Sequence, residues 1–194
     1  DLCASRGLGD VYKRQGLYDL DYEKAKALGQ KFNISVFKDP AEAAAIQNCI
    51  FDLAIPPSAH HKVLELIPEN SAVILQKPMG SNLSEASNIL TLCRKKSLNA
   101  CVNFQLRFAP MMIALKDIIN KGLIGEIVDI DMWAALDTPW NLWKFLEDLP
   151  RVEILLHSIH YFDAIRFLVG NPHGIHAKTM GHPASKISLS LIHI

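Results

Sequence analysis

The sequence predicts an α/β fold: a doubly wound parallel sheet with helices on both faces, followed by an incomplete α+β domain whose sheet is mainly antiparallel. Three observations support this. Short apolar segments alternate with helix-like segments over residues 16–104. These apolar segments are continuous, as expected of strands that are buried on both faces. After residue 107 the pattern becomes that of a strand with one polar face.

The two ends of the chain carry a different signature. Residues 10–15 (DVYKRQ) can be encoded by GAT GTG TAT AAG AGA CAG, and the reverse complement of that DNA encodes residues 189–194 (LSLIHI). This DNA resembles the transposon end used to prepare sequencing libraries, and the residues before it resemble the adjoining adapter. We therefore expect residues 1–15 and 189–194 to be adapter-derived. The remainder is then a piece of a longer protein that lacks its first βα unit.

Composition excludes several kinds of partner. The chain is 49% hydrophobic with a formal net charge of zero, so no large field of one sign exists to attract nucleic acid or a membrane surface. No apolar stretch reaches membrane-spanning length. Cys49, Cys93 and Cys101 have no metal-ligand spacing, which indicates thiols in a reducing compartment. The default expectation is a cytoplasmic protein.

The first domain, residues 16–107, is expected to contain five strands and four helices. Pro40 follows Asp39 at the first position of one helix, where its missing N–H is harmless. Asn82 and Glu85 have the spacing of a capping box. The predicted strands are residues 16–19, 34–37, 50–55, 71–76 and 100–104, and the predicted helices are residues 21–32, 40–48, 58–66 and 82–97.

The second domain, residues 108–188, starts with an amphipathic helix that ends at Gly122. Residues 127–133 (IVDIDMW) then alternate, with Asp129 and Asp131 on the side opposite the apolar residues. This pattern is typical of a strand with one solvent-exposed face. One such strand together with residues 174–180 (GIHAKTM) cannot form a stable open sheet, so this domain is incomplete.

Distinctive residues follow three of the predicted strands, in the segments AIPPSAH, LQKPMG and VNFQLRF. In a doubly wound sheet, ligands bind beyond the carboxyl ends of the strands. Lys77 is therefore expected to project into a ligand crevice, with Pro78 fixing the backbone through a bond that can be cis. Taken alone, Lys77 is equally typical of a lysine that extends from a strand end to solvent. The three strand ends together favour the crevice.

Asp19 ends the first predicted strand. In dinucleotide-binding folds, an acid there binds the adenosine ribose and disfavours a 2′-phosphate. The glycine-rich turn that would confirm this falls within the residues expected to be adapter-derived. A solvated acid at a strand end is equally common, and Asp21 is a candidate helix cap.

The segment EILLHSIHYFDAIRFLVG holds His157 and His160 at i and i+3 on a predicted helix. At 100° per residue, Leu156, His160 and Asp163 share one face. Buried, hydrogen-bonded histidines and a general base are both compatible with this pattern. A metal site is not expected, because the downstream histidines give no recognised ligand spacing.

Two tryptophans precede this helix. Trp140 and Trp143 lie in the segment TPWNLWKF. They are either core residues or a platform on which a sugar ring stacks. Core packing is the safer interpretation for at least one of them.

Taken together, residues 16–183 resemble the middle of a Gfo/Idh/MocA (glucose–fructose oxidoreductase/inositol dehydrogenase) family member. AIPPSAH resembles the family's Pro-Pro-x-x-His turn, and QKP resembles its Glu-Lys-Pro. VNFQLRFAP resembles its arginine-bearing segment, and HSIHYFDAIRFLVG resembles its Asp-x-Gly-x-His-x-x-Asp helix. The resemblance implies a Rossmann-type domain joined to an α+β domain whose sheet commonly mediates oligomers. It also implies oxidation of an alcohol on a sugar, inositol or polyol with NAD or NADP.

Site roles follow from the same resemblance. Lys77 would stabilise charge on the reacting oxygen and His160 would take or relay the proton, since a nearby cation and a base both lower the barrier to hydride departure. The implied cofactor-binding residues are Asp19, Pro56, Pro57, His60, Gln76, Lys77 and Asn103, with Asp19 favouring NAD. The implied substrate-binding residues are Arg107, Trp140, Trp143, His157 and Asp163.

Three positions depart from the family motifs. Gln76 replaces a glutamate, Ser158 replaces a glycine, and Leu156 replaces an aspartate. Losing that aspartate removes a substrate contact and a partner that raises the pKa of the histidine. We hypothesise that His157 covers part of this role, or that the substrate differs.

Two other functions stay open. The protein could bind cofactor or ligand without catalysis, or it could belong to a branch that uses bound NAD to cleave glycosidic bonds. The polypeptide as written is expected to be inactive, because it lacks the phosphate-binding turn and most of the second sheet. The parent protein is expected to be a homo-oligomer.

Overall fold

The structure, a computed structural model, describes residues 16–134, 142, 146, 151–181 and 190–193. Its helices are α1 (Tyr22–Phe32), α2 (Pro40–Ala44), α3 (Pro57–Leu66), α4 (Leu83–Lys95), α5 (Pro110–Asn120) and α6 (Ile159–Val169). A 3₁₀ helix (Gln105–Phe108) precedes α5, and a π-helical turn (Ile154–Ser158) precedes α6. The strands are β1 (Ile50–Leu53), β2 (Ala72–Leu75), β3 (Asn99–Val102), β4 (Lys178–Gly181) and β5 (Ser190–His193).

The main sheet has the order β1-β2-β3, with both pairs parallel. α3 and α4 are the connections between its strands, so the predicted βαβ arrangement is confirmed. Leu53, Val73 and Leu75 from the strands pack against Leu64 of α3 and Ile89 of α4. Burying each of these side chains contributes about 1.5–3 kcal/mol, and this core fixes the position of the three strand ends.

The predicted helix starts are also confirmed. The side chains of Asp21, Asp39 and Asn82 cap α1, α2 and α4, each accepting a hydrogen bond from a backbone N–H of the first turn. Pro40 occupies the first position of α2. Glu85 reaches back to the backbone N–H of the residue before Asn82, at 2.8 Å. Each cap satisfies a donor that the helix itself leaves free.

The two predicted strands at the start of the chain are reduced to one parallel bridge. Leu17 pairs with Val36, and the N–H of Leu17 donates to the carbonyl of Ser35 at 2.9 Å. Helix α1 lies close above this segment. A side chain at Gly29 would meet the Val36 Cγ2 atom at 2.4 Å, so a glycine is required there.

The predicted strand over residues 127–133 is wrong. The structure assigns neither strand nor helix to residues 125–134, and Val128 is 92% exposed. A strand needs a neighbouring backbone for its hydrogen bonds, and no such neighbour lies within the ranges that the structure describes.

β4 pairs antiparallel with β5. β5 falls within the residues expected to be adapter-derived, and that origin, like the domain boundary at residue 107, stays a prediction.

Candidate active site

A chain of hydrogen bonds crosses the carboxyl ends of β1, β2 and β3. The Gln76 Nε2 donates to Asp52 Oδ1 at 3.0 Å, and the Asn103 Nδ2 donates to Gln76 Oε1 at 3.1 Å. These two bonds fix the orientation of the Gln76 amide. Sequence reasoning named Gln76 and Asn103 but missed Asp52. Asp52 lies opposite Ile74 in the register of β1 and β2, and Gln76 follows Ile74 by two residues on the same face. The contact depends on this register, which the sequence alone does not fix.

Lys77 leaves the end of β2 through a cis peptide bond to Pro78. Its Nζ donates to the backbone carbonyl of Leu156 at 2.5 Å. Burial lowers the pKa of Lys77, and the negative charge of Glu153 opposes that shift. The lysine side chain therefore runs from the parallel sheet to the turn before α6.

That turn is π-helical, with the N–H of Ile159 bonding to the carbonyl of Ile154. A π turn interrupts the regular phase of an α-helix. The side chain of Leu156 packs in an apolar cluster with Leu146 and Val152. Leu156, which replaces the family's aspartate, therefore accepts a hydrogen bond from Lys77 with its backbone carbonyl, while its side chain packs in an apolar cluster.

His160 lies in the first turn of α6, with its ring edge-on to Phe104 at a centroid distance of 6.2 Å. Its Nδ1 is buried and has no hydrogen-bond partner among the residues that the structure describes. Burial, followed by the charges of Lys77 and His157, lowers the pKa of His160 to about 4, and Asp163 opposes this shift. The imidazole is therefore neutral near pH 7 and can accept a proton.

His157 is held by a carboxylate that sequence reasoning missed. Its Nδ1 lies 3.0 Å from Glu153 Oε2, and the Ser158 hydroxyl donates to Glu153 Oε1 at 3.3 Å. The side chains of Glu153 and His157 are only 23% and 20% exposed. The spacing of four residues between them is the signal that could have found Glu153.

Arg107 and Asp163, both predicted to contact substrate, bind each other. The Arg107 Nε and Nη2 donate to the two carboxylate oxygens of Asp163 at 2.6 and 2.7 Å. This hydrogen bonding raises the pKa of Arg107. The guanidinium also lies 5.4 Å from the ring centre of Phe167. The pair joins the 3₁₀ helix to α6 and so holds His160 in place relative to the sheet.

The remaining predicted residues are placed as follows. His60 is fully buried, with its Nδ1 3.0 Å from the carbonyl oxygen of Met79, so its ring links α3 to the segment after β2. Pro57 begins α3. Asp19 accepts from the N–H of Asp21 at 2.9 Å. Trp140 and Trp143 lie outside the described residues.

The strand ends fit the chemistry of a dinucleotide. Gln76 and Asn103 present amides there, and Lys77 adds a cation. The N-terminus of α3 has no side-chain cap, and helix N-termini favour anions such as a phosphate. Gln76, Lys77, Asn103 and the Pro56-Pro57 turn lie at these strand ends, where ligands bind in doubly wound sheets.

A parallel sheet with polar groups at its carboxyl ends places the chain among α/β proteins of the Rossmann type. The family model described as "Oxidoreductase family, NAD-binding Rossmann fold" matches residues 4–104. That is slightly more than half of the 194 residues. The chain therefore belongs to the Gfo/Idh/MocA family, as its motifs indicated.

The chain is similar to D-apiose dehydrogenase of Paraburkholderia graminis, with 26% identity over 163 residues that cover 80% of this chain and 42% of that protein. Its fold matches an oxidoreductase from Agrobacterium radiobacter in complex with NAD+, L-tartaric acid and magnesium. The TM-score is 0.73 at 24% identity, covering 91% of this chain and 52% of that one. It also matches myo-inositol dehydrogenase from Lactobacillus casei in complex with NAD(H) and myo-inositol. There the TM-score is 0.62 at 19% identity, covering 85% and 47%.

These relatives are about twice as long as the aligned region. The chain spans 42% of the D-apiose dehydrogenase and about half of the two solved structures. Among the helices in the described part of the chain, none has the length and apolarity needed to cross a membrane.

Proposed function

We propose that the protein to which this chain belongs is an NAD(P)-dependent oxidoreductase. It transfers hydride between an alcohol group of a sugar, polyol or inositol and the nicotinamide. The observation that carries the proposal is the bond from Lys77 Nζ to the carbonyl of Leu156. This bond places the Lys77 cation, which follows β2, at the turn before α6. His160, whose imidazole is neutral, lies in the first turn of α6.

The two side chains suit the oxidation of an alcohol. Hydride leaves a carbon readily only when the attached oxygen has given up its proton or is giving it up. His160 is neutral at pH 7 and takes that proton as general base. Burial and then the positive charge of Lys77 lower the pKa of His160, and the charge of Lys77 also stabilises the negative charge that develops on the alcohol oxygen.

The cofactor assignment rests on the strand ends. A bound nicotinamide dinucleotide would supply the hydride acceptor, with Gln76, Lys77, Asn103 and the Pro56-Pro57 turn as its contacts. Membership of a family with an NAD-binding Rossmann fold supports this. Asp19, two residues after the Leu17 bridge, favours NAD over NADP, since an acid at the corresponding position of dinucleotide-binding folds disfavours a 2′-phosphate.

The substrate class is supported by what the relatives are named for or hold. These include a dehydrogenase of D-apiose and complexes with L-tartaric acid and myo-inositol. All three compounds are small molecules that carry two or more alcohol hydroxyl groups. A homo-oligomeric state and a cytoplasmic location complete the proposal.

The test uses the whole protein, recovered by extending the source DNA past both ends of this sequence. Sugars, polyols and inositols are offered with NAD+ and with NADP+, and reduced nicotinamide is followed by absorbance. Lys77→Met and His160→Gln should each lower turnover by about a hundredfold or more. Lys95→Met, at the exposed end of α4, is the matched control.

Three results would contradict the proposal. Cofactor binding without turnover on any substrate would indicate a binding protein. Cleavage of a glycoside without net formation of reduced nicotinamide would indicate the glycoside-cleaving branch. Wild-type turnover in both Lys77→Met and His160→Gln would place the chemistry elsewhere.

A further inference from the structure

Glu153 has contacts that an ordinary surface glutamate lacks. One carboxylate oxygen faces the Nδ1 of His157 and the other accepts from the Ser158 hydroxyl, at 3.0 and 3.3 Å. Burying a carboxylate to 23% exposure is unfavourable unless hydrogen bonds and opposite charge compensate. Both kinds of compensation are found here.

The compensating charge belongs to Lys77. The lysine binds the carbonyl of Leu156, three residues after Glu153, and Glu153 directly precedes the π turn. Burial is the largest cause of the lowered pKa of Lys77, and Glu153 is the charge that opposes the shift. Arg107 and Asp163, which bind each other, are not among its causes.

We propose that Glu153 is a positioning residue of this site, acting on Lys77 through its charge and on His157 and Ser158 through its hydrogen bonds. This rests on the proposed function, because the site it serves is that of the Lys77–His160 pair. Two of the three positions that depart from the family motifs, 156 and 158, take part in these contacts. Ser158 donates to Glu153, and Leu156 receives Lys77.

The contact between His157 and Glu153 requires a proton at a defined nitrogen of the imidazole. A carboxylate at neutral pH only accepts hydrogen bonds. The His157 Nδ1 that faces Glu153 must therefore carry a proton. Glu153 thus fixes which nitrogen of His157 is the donor, and so fixes the orientation of that ring beside His160.

The test follows the protonation of Lys77 in the 194-residue chain, by the NMR shift of its ε-carbon against pH. In Glu153→Gln the midpoint of the Lys77 titration should move to lower pH, because the opposing negative charge is gone. The control Glu69→Gln makes the same charge change at an exposed position before β2 and should leave the midpoint unchanged. An unchanged midpoint in Glu153→Gln would overturn the proposal.

A second measurement needs no variant and so does not depend on how a mutant folds. Long-range ¹⁵N–¹H spectra of the unmodified chain near pH 7 should show a proton on the His157 Nδ1. A bare Nδ1 there would overturn the hydrogen-bonding part of the proposal.

The kinetic readout uses the whole protein. Glu153→Gln should lower kcat by about tenfold to a hundredfold and move the alkaline limb of the pH profile to lower pH. Glu153→Asp, which keeps the charge, should recover the position of that limb. If the whole protein oxidises no alcohol, the proposed function fails while the NMR titrations still decide the role of Glu153.

Discussion

The side chain of Lys77 ends on the backbone carbonyl of Leu156, 2.5 Å away. This one contact connects the parallel sheet with the turn before α6, across 79 residues of sequence. A lysine that follows a buried strand thereby acquires a fixed position beside His160. The apolar run before Lys77 supplies the rigid support, and the π turn supplies the acceptor.

The charge of Lys77 should be measurable at His160. That charge is one of the causes that hold the pKa of His160 at about 4. In Lys77→Met the pKa of His160 should therefore rise toward its usual value of 6.5. NMR titration of the His160 ring proton measures this directly. An unaltered titration would show that the charge of Lys77 does not contribute to the pKa shift of His160.

The same histidine should make stability depend on pH. Because the folded-state pKa of about 4 lies below the usual 6.5, the unfolded chain binds more protons between these values. The free energy of unfolding should therefore fall as the pH drops from 6.5 toward 4. Urea unfolding of the unmodified chain and of His160→Gln would isolate this effect. The loss should be smaller in the variant, and parallel curves would contradict the assignment.

Arg107 and Asp163 should be strongly coupled. The Asp163 side chain is only 5% exposed, whereas that of Arg107 is 35% exposed. Arg107→Met leaves a buried carboxylate unpaired and should lower the free energy of unfolding by about 3 kcal/mol. Adding Asp163→Asn should restore much of that loss. Additive losses in this double-mutant cycle, measured by urea unfolding, would show that the ion pair is not responsible.

Local patterns predicted the parallel sheet and named most residues of the candidate site. Asp39-Pro40 and the Asn82–Glu85 spacing fixed helix starts, because a cap depends only on residues within one turn. Continuous apolar strands indicated a sheet that helices cover, and the order of the motifs indicated the family. Each of these signals is local or repeats along the chain.

The structural features that the sequence did not predict depend on distant contacts or on irregular backbone. The alternation over residues 127–133 indicates one wet face, but a strand also needs a partner, and the described residues provide none. The π turn (Ile154–Ser158) has no pattern in the residue types, so the ideal phase of 100° per residue does not apply at Leu156. The pairing of Arg107 with Asp163 spans 56 residues, and no spacing rule reveals such a contact.

The hydrogen bond from Gln76 to Asp52 allows a test of why a glutamine replaces the family's glutamate at position 76. A glutamate at position 76 would turn its carboxylate toward Asp52, where Gln76 now donates at 3.0 Å. Gln76→Glu alone should therefore destabilise the chain, by about 1 kcal/mol or less since Asp52 is exposed. Combining it with Asp52→Asn should recover the loss, because the new amide can donate to the new carboxylate while Asn103 still donates from the other side. Urea unfolding of the two single variants and the double variant gives the coupling energy. If the double variant loses the sum of the two single losses, the orientation of the Gln76 amide does not depend on Asp52.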